Sequence, residues 1–527
     1  MKMKKHFIPV ITLAAFLLAG LAACTKNFDE LNTPENLLPE DDISPALIGQ
    51  AFAFSQYNGL CAVYVEVGQT LHADMYAQYF TSVPAAFSTD QFIPNGSWVD
   101  LFWKDFYTKA APQLFLTEKV TAENNLTVAN AIAKIWRVVM YSRMTDYFGP
   151  VIYSHFGEQA NSVPFDSQQD IYNDFFKTLD EASAVLKQHP SGNGFAAHDQ
   201  VYAGSAAKWL KLANSLRLRL AMRIVYADAG KARTEAEKAI TDGVILGNED
   251  NANVLSTTNS VNILSRITYL IDFRASATMI SALTGYNDPR MPDYFSPSVT
   301  GNQFTGLRNG LPASERGSQL ANVTSFVGAK WLSPDRKGTL TPNRVLSASE
   351  VAFLRAEGAL RGWNMGGTPK DLYNQGISLS LMERVAASPA QITAYQNSTA
   401  TPAALADKWN SPAMSDIPVL YDEAGNFERR LEQIITQKWI ALYPDGWEAW
   451  AERRRTGYPR GYAIIASESP DIPRTGLVRR VTYAPVEIST NRVAYDAAVG
   501  MLGGPDENHT RLWWDKKPLA DYPVPTN

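Results

Sequence analysis

The chain has 527 residues, 45% of them hydrophobic and 19% charged, with a formal net charge of −5. That length allows several ordinary domains or one large continuous helical array. The acidic balance argues against nucleic acid, and against an acidic polymer bound over the whole surface; two cysteines are too few for a disulfide framework or a cysteine-based metal site.

Lys2, Lys4 and Lys5 precede an apolar run from Phe7 to Gly20, which is the layout of a cleaved export signal. The run is shorter than the roughly 20 residues a spanning helix requires. It closes on Leu21-Ala22-Ala23-Cys24, which resembles a bacterial lipobox. Residues 1–23 are therefore expected to be removed and Cys24 lipidated, and two or three acyl chains anchor stably where one does not. Loss of three lysines and no acids takes the remainder from −5 to near −8. Cys61 is then the one remaining thiol, and its neighbours Leu60, Ala62 and Val63 mark it as a buried small hydrophobe. Residues 24–43 are polar and proline-punctuated and read as a tether. Residues 44–527 read as a single domain.

Beyond the tether, helical periodicity dominates. Ile171, Phe175, Leu179, Ala182 and Leu186 mark one helix, with Ser167 or Asp166 as its N-cap, following a helix over Val128–Phe148. Trp209, Leu212, Ala213, Leu216, Leu220 and Ile224 keep i, i+3, i+4, i+7 spacing within Ala203–Ala227. Leu218 and Ala221 widen that stripe so that two sides pack, and a partner helix follows over Ala232–Thr241. Glu350–Trp363 ends at Gly366-Gly367, and Thr368-Pro369-Lys370-Asp371 caps and starts the next helix. Phe427–Tyr443 ends at Pro444-Asp445-Gly446 and restarts at Trp447. These four pairs resemble tetratricopeptide repeats in length, although the repeat signature is not kept and the pairs are not contiguous. The basic stripe Lys208, Lys211, Arg217, Arg219 and Arg223 is expected to be paired or solvated, and Trp439, Trp447 and Trp450 to pack between helices.

Irregular segments interrupt the helices at Phe80–Trp98, Asn248–Asn262, Tyr286–Leu346 and Ile464–Asn491. Excursions this long on a rigid scaffold are where binding is expected. The sequence holds no nucleophile elbow, phosphate loop or dinucleotide fingerprint, and its six histidines are too dispersed for a local zinc motif. Asn248-Glu249-Asp250-Asn251 lacks calcium-loop spacing. The expectation is no catalytic residue, no metal and no cofactor, although a hydrolase needs only two carboxylates brought together by folding.

Several blocks together resemble one family, the SusD/RagB-like nutrient-binding outer-membrane lipoproteins of Bacteroidetes. Phe28–Asn36 (FDELNTPEN) is similar to the family's opening, and Thr145–Gly157 to its D-x-x-G-D-x-P-Y turn, with Pro150 and Ile152 departing from the usual residues. Asp199–Arg223, Asp288–Phe295, Glu350–Trp363, Gln437–Pro459 (which contains RRTGYP) and Arg479–Val499, followed by LWWD at Leu512–Asp515, match further blocks in order. The resemblance implies a mostly helical SusD-like fold, with four tetratricopeptide-like pairs as scaffold and long irregular loops as the ligand-binding face. It also implies lipid-anchored display at the outer membrane, with Asp29 and Glu30 agreeing loosely with a surface-export signal. There the protein would capture a ligand, close over a SusC-like TonB-dependent transporter and deliver the ligand to it. Glu350, Trp363, Trp439, Trp450, Arg454 and Arg455 are read as scaffold residues.

Capture of an oligosaccharide calls for aromatic faces against sugar C–H surfaces and polar side chains toward hydroxyls. The family places its pocket in loops before the first pair and between the second and third. Here those loops supply Asp90, Phe92, Asn95 and Trp98, beside Gln91, and then Tyr286, Arg308, Asn309, Phe326 and Trp331, beside Phe304. These are the candidate ligand residues, chosen on location and chemistry. RagB-like relatives take peptides, so a peptide ligand stays open, as does a surface glycoside hydrolase; nucleic acid is not expected.

Overall fold

The computed structural model describes residues 47–335 and 337–526. The signal segment, Cys24 and the tether lie outside the described residues. A short helix α1 (Gly96–Asp105) precedes the scaffold, whose helices form four packed pairs. These are α2 (Thr127–Phe148) with α3 (Gln168–Gln188), and α4 (Ala206–Arg223) with α5 (Ala229–Asp242). They continue with α6 (Ala348–Leu360) and α7 (Pro369–Val385), then α8 (Phe427–Leu442) and α9 (Gly446–Thr456).

Local chemistry sets the helix ends. Ser167 caps α3 by accepting from the Asp170 amide at 3.1 Å, and Thr368 caps α7 through the Asp371 amide at 3.2 Å. Asp371 accepts from the Thr368 hydroxyl at 2.7 Å, so it supports the cap without closing a full capping box. The α4 stripe begins at Ala206, later than the periodicity suggests, because residues 201–204 are held in turns by the Asp199 carboxylate. At the start of α9 only glycine fits: a Cβ on Gly446 would lie 2.6 Å from the Asp74 Cα.

The excursions are laced together by three two-stranded antiparallel ribbons. Strand β1 (Phe80–Ser82) pairs with β3 (Phe273–Ala275), β2 (Ala252–Val254) with β6 (Asn343–Leu346), and β4 (Phe295–Ser296) with β5 (Phe326–Val327). The Tyr286–Leu346 segment is therefore anchored at several points, whereas its composition reads as plain loop. Trp136, Trp209, Trp439 and Trp450 lie fully inside one continuous apolar core. Cys61 joins the core, and burial pushes its thiol up to about 11, so it stays protonated.

A buried ionic network crosses that core. Arg223 of α4 donates to Asp146 of α2 at 3.1 Å and to Glu448 and Glu452 of α9. Arg219, one turn earlier, forks onto Glu350 of α6 with both contacts at 2.7 Å. Lys438 of α8 sits 3.3 Å from Glu448 and 3.4 Å from Glu452. Arg455 bridges Glu452 to Glu357 of α6. Asp146 also accepts from Tyr172 of α3 at 2.6 Å and from the Trp514 indole at 2.8 Å. The rest of the basic stripe is paired too, Arg217 with Asp180 and Glu235, and Lys211 with Asp250.

Burial alone would raise the Glu357, Glu448 and Glu452 carboxyls, but the cations around them hold all three below the usual range. At Glu350 and Asp146 burial outweighs the facing arginines, and both are raised. Leaving a buried cation unpaired is expensive. Glu452→Gln should therefore destabilise the protein by about 3–5 kcal/mol at neutral pH, and Glu350→Gln by clearly less, measured from urea unfolding midpoints. A carboxyl with a depressed pKa contributes stability above its unfolded value and loses it as pH falls through the folded one. The gap between wild type and Glu452→Gln should narrow as pH drops below about 4.3.

Candidate functional site

The loop before α1 and the first turn of that helix form an open cleft of about 550 Å³, lined by Phe87, Ile93, Pro94, Asn95, Trp98 and Pro485 among others. Asn95 is the N-cap of α1. Its carboxamide oxygen accepts from the Ser97 and Trp98 amides at 3.0 and 3.3 Å, which fixes the first turn. Its amide NH2 has no protein acceptor among the described residues. Trp98 is half-buried and meets Phe87 edge-on, with centroids 4.9 Å apart at 85°. Behind it lies His72, with ring centroids 5.8 Å apart, fully buried and hydrogen-bonded to the Tyr147 hydroxyl at 2.5 Å. Burial lowers the His72 pKa to about 3, so the support under Trp98 is uncharged at physiological pH. An aromatic surface with Asn95, Ser97 and Ser88 at its edge is suited to a ligand with apolar faces and hydroxyl rims.

A second recess of about 180 Å³ lies where β6, the end of α7 and the α8–α9 turn meet. Trp331 forms part of its wall, with its side chain 2% exposed and its indole N–H without an acceptor among the described residues. The remaining lining mixes apolar residues such as Leu60, Ile263 and Leu264 with charged ones, Arg143, Lys330, Arg344, Glu383, Arg384 and Asp445.

The other candidates are held inside the framework. Asp90 is buried and faces Arg316 at 2.8 Å, neither side chain being exposed. Its second oxygen accepts from the Thr81 hydroxyl and from the Ser82 and Gly310 amides at 2.8, 3.1 and 3.0 Å. Gln91 also accepts from Arg316, at 2.9 Å. Phe92 is buried with φ +70°. Tyr286 donates to the Ile417 carbonyl at 3.2 Å. Arg308 donates to Ser411 and to the Ala463 carbonyl, both at 2.7 Å, and lies over the Tyr462 ring. Asn309 donates to the Phe80 carbonyl at 2.8 Å. Phe326 is half-buried under the Arg274 guanidinium, 4.4 Å away, and Phe304 is half-buried against the core. Of the nine candidates, then, Asn95 and Trp98 share the open cleft and Trp331 lines the second recess. For Asp90, Phe92, Tyr286, Arg308 and Asn309 the structure replaces the expected exposed loop positions with buried ones, because each closes a contact that holds an excursion to the scaffold.

Sequence reading missed Phe87 and Pro485 in the cleft and the charged lining of the recess. Pro485 comes from far along the chain, and the charged residues are scattered singly over several elements. Asn248, Asp250 and Asn251 are engaged by the Leu379 carbonyl, Lys211 and Glu383 respectively. Asp471, Glu507 and His509 are a surface group whose donor atoms lie within 4.8 Å of one another.

Asp90→Ala would strand the Arg316 charge and three donors. It should cost about 3–5 kcal/mol, read as a lower unfolding midpoint, while ligand affinity of the folded protein stays within about threefold of wild type.

Residues 48–515 match the family described as SusD-like, SusD and RagB outer membrane lipoprotein. A chitin-binding SusD homologue from Flavobacterium johnsoniae is 34% identical, with a TM-score of 0.82 over 89% of this chain and 99% of its own. A SusD homologue from Bacteroides thetaiotaomicron is 33% identical, with a TM-score of 0.80 over 89% and 99%. One from Bacteroides uniformis is 33% identical, with a TM-score of 0.81 over 90% and 100%. No curated protein matches the sequence. Among the described residues no helix is long and apolar enough to cross a membrane.

Proposed function

The chain belongs to the SusD-like family of outer-membrane lipoproteins, and from that premise we propose that it is a non-catalytic surface protein that captures oligosaccharides and hands them to a SusC-like TonB-dependent transporter. In this reading residues 1–23 are the cleaved signal, Cys24 carries the lipid, residues 24–43 are the tether and residues 44–527 form the binding domain. The observation that carries it is the Trp98 cleft, an open aromatic and amide-edged surface on a fold shared with a chitin-binding homologue over 99% of that protein. Trp98 offers a face to the C–H side of a sugar ring, and Asn95 offers a free N–H pair to a hydroxyl. The scaffold behind the cleft is fixed by core packing and buried ion pairs, so the surface is preorganised and little ordering is required on binding.

Calorimetric titration with oligosaccharide and peptide panels tests the ligand class. A saccharide should bind, and Trp98→Ala should weaken it at least about tenfold, equivalent to about 1.4 kcal/mol, with the melting temperature little changed. Binding of peptides and of no saccharide would replace this reading with a peptide-capture one. For the anchor, Cys24→Ala should move the protein from the membrane fraction to the soluble one and abolish its co-purification with a large outer-membrane barrel.

A further inference from the structure

Among the residues that line the Trp98 cleft, Asp100 alone carries a charge. It stands in the second turn of α1 and is half-buried. One carboxylate oxygen accepts from the Val486 amide at 2.8 Å, next to Pro485, which also lines the cleft. Its other oxygen has no partner among the described residues. No cation of those residues lies within ion-pair distance of it, Lys104 four residues on included. Asp90 is the contrast: it is buried, and its oxygens are spent on Arg316, Thr81, Ser82 and Gly310. Asp100 keeps accepting capacity, and a half-buried side chain in an open cleft is within reach of a ligand.

Nothing beneath the cleft reverses that negative sign. Arg316 donates to the Phe87 carbonyl, but its side chain is unexposed and faces Asp90 at 2.8 Å. His72, under Trp98, is uncharged because burial lowers its pKa to about 3. The first amides of α1 are already taken. Those of Ser97 and Trp98 go to the Asn95 side chain, and that of Val99 goes to the Asn95 carbonyl at 3.0 Å. What the cleft offers is a carboxylate together with the electron-rich faces of Trp98 and Phe87, and both attract cations. A cleft lined by one sign of charge concentrates ligands of the other. A neutral sugar gains one hydroxyl contact at Asp100, an ammonium gains a charged contact there, and an acidic sugar meets like charge.

We propose that the Trp98 cleft prefers an amine-bearing saccharide, a hexosamine whose amino group is free and protonated, with Asp100 accepting from the ammonium while Trp98 covers the C–H face of the ring. This rests on the saccharide-binding reading above and names the sugar class for the same site. Trp98 then sets the affinity for saccharides in general, and Asp100 sets the choice among them.

Calorimetric titration with oligomers of glucosamine, N-acetylglucosamine and galacturonate of equal length tests it. The glucosamine oligomer should bind about fivefold or more tightly than its N-acetylated counterpart, with galacturonate weakest of the three. That preference should shrink as salt rises. Asp100→Asn keeps an acceptor for the Val486 amide, so its melting temperature should stay close to wild type. It should bring the glucosamine and N-acetylglucosamine affinities within about twofold of each other. Three results would each overturn this proposal and leave the oligosaccharide reading standing: equal affinities or an acid preference in the wild type, an amine preference unchanged in Asp100→Asn, or binding of other saccharides but none of these three. Failure of every saccharide to bind would overturn both.

Discussion

Arg223 is the residue through which the helix pairs are held to one another. From α4 it reaches Asp146 in the first pair and Glu448 and Glu452 in the fourth. Arg455 then passes the connection from Glu452 to Glu357 in the third. Apolar packing alone would allow neighbouring helices to slide by a turn at modest cost, since Leu, Ala and Trp surfaces are non-directional. A largely buried charged lattice does not allow that, because each misplaced partner leaves an ion without compensation. The network thus acts chiefly on register. Whatever the helix pairs present at their ends and edges is held in a defined place. Asp445, in the wall of the Trp331 recess, lies within one turn of Glu448 and accepts from its amide.

How much of this could be read from the chain alone follows from the range of the interactions. The helix pairs were legible because their signals are local. The 3.6-residue spacing of Trp209, Leu212, Leu216 and Leu220 and the caps at Ser167 and Thr368 need only neighbouring residues to act. Family blocks such as Gln437–Pro459 then supplied the scaffold's identity. The ribbons were not legible, since Phe80 meets Ala275 and Ala252 meets Leu346, and strands of two to four residues leave almost no alternation to detect. The site was legible in part, and for a specific reason. Asp90 and Asn95 look alike in sequence, polar residues in an aromatic-rich loop. Only the arrival of Arg316 from 226 residues away turns the first into a buried anchor, while the second stays at the mouth of a cleft.

The same distinction separates the arginines. Arg308 and Arg316 sit in the excursion and look like hydroxyl-binding side chains, yet each is turned inward onto backbone carbonyls or an acid. Arg384 sits in a scaffold helix, yet its buried Nε–H finds no acceptor among the described residues. Residue type and location in the chain do not distinguish these environments. The deciding quantity was the number of acceptors the fold supplied, which is a property of three-dimensional neighbours.

The β2–β6 ribbon has an evolutionary consequence. By joining Ala252 to Leu346 it makes the long stretch between α5 and α6 leave and re-enter the scaffold at adjacent points. For a stretch that is already closed, doubling its length costs only about 0.6 kcal/mol in chain entropy. Its interior is tied back to the scaffold at β3 and through Tyr286, Arg308 and Asn309, so changes in length are absorbed in the turns between those ties while the helices on either side keep their places.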